Sequence, residues 1–435
     1  MFDRDVLDND PPRRSLLLTY LSAALQAADP ALAVSRSLRR NRTTLTIDGS
    51  SIDLASVRRV AIIALGKASP AMGRAAWNIL DGVDRRMLVI SDHTESLPPG
   101  TSFVHAGHPL PTPASERGAA MALELAEASN ADDVVLCLLS GGGSALAELP
   151  APGLTLDDVR SVGHALLEGG VPIERANVVR HHLSAFKGGR LAEAAAPALM
   201  ITLILSDIAG NPLPSIASGP TVADPSTFGD AVDVLVKHHL LDRVPEAVRT
   251  HLLEGARGRI PETPKTVPPD SVTVVVGDLE RTAEALRDSA ERSGIATTIE
   301  TTSLSGEAAP TAVQCLDRAV AGLSIFAGEA TVTVRGDGVG GRNQEAALAA
   351  AEAIEGRSDI VFAAFATDGV DGPTDAAGAI VDGGTAGRGR ARGLDIHDHL
   401  IRNDSNSFLR AAGDLLATGP TGTNVGDIWL VLRDA

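Results

Sequence analysis

The stretch VLCLLSGGGSALAEL, Val135 to Leu149, decides how this chain is read. An apolar run of strand length stops at Ser140. Gly141, Gly142 and Gly143 follow, and Ser144 opens a helix-like segment. Backbone stripped of side chains at the mouth of a strand is backbone that approaches something closely, and N–H groups at a helix start suit an anion. A mobile surface turn is the competing reading, and the rest of the chain has to separate the two.

Runs with the same punctuation recur. Val60–Leu65 ends in Gly66-Lys67, Met87–Ile90 in Ser91-Asp92-His93, and Met200–Leu205 in Ser206-Asp207. Helix patterns accompany them at Leu16–Ala28, Glu116–Ala128 and Leu156–Glu168. Strands alternating with helices specify a parallel sheet covered on both faces. In such sheets ligands collect beyond the carboxyl ends of the strands, where helix N-termini converge, and the polar residues fall there. From Leu241 to Pro269 the pattern breaks, and GRIPETPKTVPPD reads as a connection. A second series of strands is expected at Val272–Val276, Ala330–Val334, Ile360–Ala366 and Ile428–Leu432. The expected organisation is an α/β fold: a Rossmann-like α/β/α domain over 1–245, a connection over 246–270 and a smaller α/β domain over 271–435.

Composition narrows the function. The 435 residues exceed one ordinary core, and with aromatics at 3% that core is aliphatic. Base stacking on aromatic platforms is therefore a poor reading. The net charge is −17 and no long basic run exists; GRGRARG at Gly387 is a local patch. Both facts argue against nucleic acid as a partner. No apolar run approaches the ~20 residues that span a bilayer, so no membrane is expected. Cys137 and Cys315 lie outside any CxxC or metal-ligand spacing and read as buried thiols in a reducing cytoplasm. The polar, acidic opening MFDRDVLDNDPPRR is not a signal peptide.

Five loops can carry chemistry. SGGGS, Ser140 to Ser144, is the first. In LGKASPAM a compact cation, Lys67, sits at a strand end before a helix and can hold a carboxylate or phosphate. LILSDIAGNPLPSIASGPTVADPSTF, Leu203 to Phe228, places Asp207 after a strand and runs on without periodicity, which in a compact domain points to function, with Ser218-Gly219-Pro220-Thr221 as a source of amides and hydroxyls. VRGDGVGGRNQEAALAAA, Val334 to Ala351, runs from a glycine loop into a helix, with Gly340, Arg342 and Asn343 at its start. Its G-x-G-x-G-G spacing only approximates the dinucleotide fingerprint. FATDGVDGPTDAAGAIVDG, Phe365 to Gly383, crowds Asp368, Asp371, Asp375 and Asp382 after a strand; a divalent cation and simple Asx turns both explain it, and an EF-hand loop does not. Arg180 and Lys187, in NVVRHHLSAFKGGR, are further anion contacts, whereas the adjacent His181 and His182 point different ways on a helix. His108, in GHPLPTPAS, reads equally as a rigid turn or a ligand contact. No Walker loop, protein-kinase motif set, G-x-S-x-G elbow or HExxH motif occurs.

Taken in order, LGKASPAM, GHPLPTPAS, LSGGGSAL, NVVRHHLSAFKGGRLA, LSDIAGNPLPSIASGPT, RGDGVGGRNQE, ATDGVDGPTDAAGA and TGPTGTNVGD resemble the glycerate 2-kinase family, two-domain proteins with a MOFRL-type C-terminal domain, often labelled hydroxypyruvate reductases. The resemblance runs from Asp29 to the C-terminus. It implies ATP-dependent phosphorylation of D-glycerate to 2-phosphoglycerate with Mg²⁺, in a cleft between the domains. It implies Lys67 and Arg342 as catalytic groups. The expected site then has Ser140, Gly141, Gly142, Gly143, Ser144, Arg180, Lys187, Gly340 and Asn343 on substrate and phosphates. Asp207 is expected to serve catalysis or metal, with Asp368, Asp371 and Asp375 as further metal carboxylates. A homodimer is the candidate assembly. Two other readings stand beside it: an NAD(P)H-dependent hydroxypyruvate reductase using the glycine loop, and a small-anion binding protein without turnover.

Overall fold

The computed structural model describes residue 9 and residues 11–434; most of the stretch read as no signal peptide lies outside them. The chain forms two compact units, each of which is an α/β structure. One holds Pro30–Ser206 and Asn211–Val276. The other gathers the N-terminal segment up to Asp29, the short piece Asp207–Gly210, and everything from Gly277 on.

In the first unit β1 (Leu38–Asn41), β2 (Thr44–Ile47) and β3 (Ser50–Asp53) make a small antiparallel sheet. The main sheet has six strands: β4 (Arg59–Leu65), β5 (Arg85–Ser91), β6 (Ser102–His105), β7 (Asp133–Leu139), β8 (Leu199–Leu205) and β9 (Val272–Gly277), in the order β6-β5-β4-β7-β8-β9. Counted from β4 this is 3-2-1-4-5-6, the order of the doubly wound dinucleotide fold. β4 pairs in parallel with both β5 and β7. Every residue of β7 is buried, as a parallel strand covered on both faces requires. Leu65 is level with Ile90 and with Leu139, so the turns after β4, β5 and β7 share one rim.

The second unit carries β10 (Thr297–Leu304), β11 (Gly322–Gly328), β12 (Ile360–Ala366), β13 (Gly378–Asp382), β14 (Leu415–Leu416) and β15 (Asp427–Arg433), ordered β10-β11-β15-β12-β13-β14. Only β10 and β11 run parallel; the other pairs are antiparallel. Period-two alternation splits the sheet into two faces. Ile428, Leu430, Val361 and Ala363 pack with Leu17, Leu21, Leu25 and Leu286. Trp429, Val431, Phe362 and Ala364 pack with Ala347, Ala350 and Phe408.

Four expectations are corrected. The N-terminal helix, Pro11–Ala27, groups with the second unit, because Leu17, Tyr20, Leu21, Ala24 and Leu25 complete that unit's core. The stretch 246–270 is no bare connection: Glu246–Ala256 is a helix whose Val248 and Leu252 pack with Leu166, Val179 and Leu235 in the first unit. β9, expected to start the second domain, is an edge strand of the first sheet. Ala330–Val334 is not a strand; Thr331 makes one isolated bridge to Glu307, and the strand lies earlier, at β11.

Charge also ties the N-terminal helix to its unit. Arg14, fully buried, pairs with Asp382 and with Asp414 at 2.8 Å, and Arg388 bridges the same two carboxylates at 2.9 and 2.8 Å. No single helix among the described residues is long and apolar enough to cross a membrane. Removing one member of a buried ion cluster leaves charge uncompensated. Arg14→Ala is therefore expected to lower unfolding free energy by about 3 kcal/mol or more, read from urea denaturation.

Candidate active site

The turns after β4 and β7 are laced together. Lys67 donates its N–H to the Gly141 carbonyl at 2.9 Å, Ser140 donates its N–H to the Leu65 carbonyl at 3.0 Å, and Ala68 donates to Ser140 Oγ at 3.0 Å. Strand order reverses between β4 and β7, so their carboxyl ends bound the crevice where open α/β sheets hold ligands. The approach is so close that Gly66 has no room for a side chain. Its φ is +125°, and an added Cβ would lie 2.2 Å from Ser140 Oγ and 2.5 Å from the Ser140 carbonyl oxygen.

This lacing leaves donors without acceptors. Among the described residues, no protein group accepts from the N–H groups of Gly141, Gly142, Gly143 or Ser144. The half-buried Lys67 ammonium likewise has no ion-pair partner among them. Lys67 lies against this turn: a Cβ on Gly142 would sit 3.2 Å from Lys67 Cγ and 3.2 Å from His108 Cδ2. Partial desolvation and then the Lys67 charge lower the His108 pKa, which keeps the ring neutral beside the cation. Burial pushes the Asp92 carboxyl up, but its hydrogen bond to His93 at 2.9 Å, the His93 charge and the more distant Lys67 bring it below the usual range.

Below the turn, Ser144 Oγ meets Ser218 Oγ at 2.8 Å, and Ser218 Oγ reaches Asn177 Oδ1 at 3.4 Å. Ser218 belongs to the long irregular loop singled out in the sequence. Three consecutive residues there, Ala217, Ser218 and Gly219, hold φ of +50°, +58° and +55°. Non-glycine residues in that region carry strain that surrounding structure must maintain, and such strain clusters at functional sites. Lys187, expected to contact an anion from outside, is instead 2% exposed and ion-paired with Glu148, so its charge is neutralised within the fold. Arg180 remains half-exposed, and its guanidinium has no hydrogen-bond partner among the described residues.

The second unit uses its glycine loop differently from the expectation. The carboxylate of Asp371 occupies the N-terminus of the helix Arg342–Ala353: it accepts from Asn343 N–H at 3.0 Å, Gln344 N–H at 2.8 Å, Asn343 Nδ2 at 3.2 Å and Gln344 Nε2 at 2.9 Å. A Cβ on Gly341 would sit 2.4 Å from Asp371 Cγ, which is why a glycine stands there. The anion expected at this helix start is thus a side chain of the protein. Asn343 is fully buried and also accepts from Trp429 Nε1 at 2.7 Å, so it braces the fold. Gly340 packs on Ser405. Arg342 is held bidentate by Asp427, with Nη2 to Oδ1 at 3.0 Å, and its Nη1 pairs with the exposed Glu329 at 2.8 Å.

The aspartates expected as metal ligands do not gather. Asp371 is saturated as described, and Asp375 pairs with Arg410. Asp368 Oδ1 accepts from Val370 N–H at 3.1 Å, an Asx turn. Asp207 Oδ2 accepts from Asn424 Nδ2 at 3.5 Å. No cluster of three or more His, Cys, Asp or Glu fit for a metal exists among the described residues. Both cysteines are buried thiols; burial pushes Cys315 up to about 12.

Sequence reasoning passed over Asn177, and it reached Ser218 only as one of several hydroxyls and amides in the long irregular loop. The strand-end rule that selected Lys67 also reached Asp92, without giving it a role. Nothing in the helical pattern around Asn177 distinguishes it from an ordinary polar position.

Comparison with known proteins gives the family of the chain. Residues 16–253 match the family described as a domain of unknown function, DUF4147, and residues 322–427 match the MOFRL family. A glycerate 2-kinase of Pyrococcus horikoshii is 38% identical, the alignment covering 96% of this chain and 97% of that protein. A protein of Agrobacterium vitis, 36% identical over 98% of this chain and 95% of its own length, bears hydroxypyruvate reductase as a provisional name. The crystal structure of a glycerate kinase from Thermotoga maritima superposes with a TM-score of 0.84 at 37% identity, covering 96% of this chain and 99% of that one. The close approach at Gly66 is testable directly: Gly66→Ala is expected to cost more than about 1 kcal/mol, because the side chain meets both a positive φ and Ser140. An unchanged urea midpoint would show that the two turns are not packed as described.

Proposed function

Because the chain belongs to the glycerate 2-kinase family, we propose that it transfers the γ-phosphoryl group of ATP to the C2 hydroxyl of D-glycerate, giving 2-phosphoglycerate and ADP with Mg²⁺. One observation carries the reading: an unpaired ammonium, Lys67, stands beside N–H groups of Gly141–Ser144 that no protein acceptor takes, at the switch point of a doubly wound sheet. Phosphoryl transfer asks a protein chiefly for alignment and fixed positive charge. The Gly141–Ser144 amides would hold phosphate oxygens, and Lys67 would follow the charge of the travelling group. Arg342 is the second catalytic cation in this reading. Asp427 fixes its orientation, and its link to the exposed Glu329 is exchangeable for a substrate anion.

Mg²⁺ usually binds through one or two carboxylates plus substrate phosphates rather than in a protein cage. An ion carried on ATP needs no three-ligand protein cluster. Asp207 and Asp368 are the carboxylates proposed to hold it. Both border the closing TGPTGTNVGD loop: Asn424 donates to Asp207, and Thr421 N–H donates to the Asp368 carbonyl at 3.1 Å. When bound, the ion would neutralise phosphate charge.

The reductase reading has less support. A dinucleotide fold needs glycines that admit a pyrophosphate to a helix start. Here Asp371 fills that helix start, and Gly336 and Gly338 pack against Arg402 and Asp404. Lys67→Ala and Arg342→Ala are each expected to reduce glycerate-dependent ADP release by at least ~10²-fold, the scale of one preorganised electrostatic group. Phosphorus NMR of the product should show the phosphate coupled to the C2 proton. Oxidation of NADH by hydroxypyruvate, or glycerate binding without ADP formation, would overturn the assignment.

A further inference from the structure

The helix Ile173–His182 presents Asn177, Arg180 and His181 at positions i, i+3 and i+4, hence on one face. Each of them has an unmet demand. Asn177 is 2% exposed; its Oδ1 faces Ser218 Oγ, while its Nδ2 donates to nothing among the described residues. A buried amide donor without an acceptor is costly and calls for a ligand or a water. Arg180 belongs to a cluster of three charges with Lys187 and Glu148. Lys187 is ion-paired with Glu148, so those two cancel and Arg180 is the charge left over. A half-buried guanidinium whose charge its neighbours leave over is stabilised by the company of an anion. His181 lies with Nδ1 3.3 Å from Asp224 Oδ2, while its buried Nε2, like Asn177 Nδ2, meets no partner among the described residues.

The hydroxyl chain joins this face to the phosphate-holding turn: Asn177 to Ser218, and Ser218 to Ser144 at 2.8 Å. Two kinds of donor therefore stand side by side in one unit. Backbone amides and the point charge of Lys67 suit a phosphoryl group whose charge shifts during reaction. A planar guanidinium with a neutral amide suits a carboxylate, whose two oxygens accept a fork of donors.

We propose that Arg180 and Asn177 form a carboxylate subsite, which selects 2-hydroxy acids over neutral polyols, and that Ser218 is a positioning residue coupling this subsite to the Ser144 turn. The proposal rests on the kinase reading for the identity of the acid. Its own basis is the pair of unsatisfied donors. Bound there, the carboxylate receives Arg180 and the Asn177 amide, and the neighbouring hydroxyl is directed toward the turn that holds phosphate. Ser218 sets the Asn177 side chain through Oδ1, and its strained backbone fixes where the hydroxyl stands.

The test uses the full-length protein and two ligands, D-glycerate and its neutral amide, glyceramide. Calorimetric titration, with and without ADP and Mg²⁺, reads the subsite independently of turnover. Wild-type protein is expected to bind glycerate at least 30-fold more tightly than glyceramide, on the order of one charged hydrogen bond or more. In Arg180→Gln and Asn177→Ala that preference is expected to fall toward unity, with Arg180→Lys restoring part of it in the first case. Ser218→Ala should raise KM for glycerate while thermal unfolding stays near wild type. Should Asn177→Ala unfold the protein, Arg180→Gln on the half-exposed side chain decides alone. Preference for glycerate undiminished in the Arg180 variants, or no glycerate binding by wild type under either condition, overturns the subsite. Glycerate preference that depends on Arg180 without any ADP formation sustains the subsite and overturns the kinase reading.

Discussion

The structure of the first unit depends on one close approach, that of Gly66 to Ser140. β4 and β7 are neighbours that feed helices on opposite sides of the strand-order reversal, and their turns share a single hydrogen-bonded seam. Only a residue without Cβ, at φ +125°, lets Ser140 Oγ reach the Ala68 amide. Once that seam closes, the amides after Ser140 meet no protein acceptor among the described residues, and Lys67 is set beside them. The proposed anion site is thus a by-product of how two parallel strands end.

Charge is used in opposite ways by the two units. In the second, the main cations near the sheet are satisfied internally: Arg342 by Asp427 and Glu329, Arg388 by Asp382 and Asp414, Arg410 by Asp375. Its glycine-rich loop holds a carboxylate of its own, Asp371. In the first, Lys67 and Arg180 lack protein carboxylates bonded to them among the described residues, although the chain carries 55 acidic residues. Cations left unpaired in so acidic a protein are its clearest mark of anion binding.

Much of this was legible in the sequence. Apolar runs that end in Gly66-Lys67, Asp92-His93 and Ser140 located the rim, because a parallel strand buried on both faces cannot be disguised. What stayed hidden was pairing. A motif such as GVGGRNQE looks like an anion cradle until Asp371, some thirty residues on, is seen to fill it. Lys187 looked like a ligand contact until Glu148 was found beside it. β9 and the N-terminal helix were misassigned because periodicity reports which face is apolar, not which sheet receives it. Asn177 has no local signal, and Ser218 shows only as one hydroxyl of a long irregular loop; the link between them arises from a hydroxyl chain that sequence spacing does not display.

Lysine is scarce here, four of 38 basic residues, namely Lys67, Lys187, Lys237 and Lys265, so the central claim can be read one nucleus at a time. The most direct measurement is NMR of protein carrying lysine labelled with carbon-13 at Cε, with the Lys67 signal assigned by its loss in Lys67→Arg. Titration with 2-phosphoglycerate should move the Lys67 resonance and leave Lys237 and Lys265 in place. A Lys67 signal that stays fixed while calorimetry shows the phosphorylated acid bound would contradict the account.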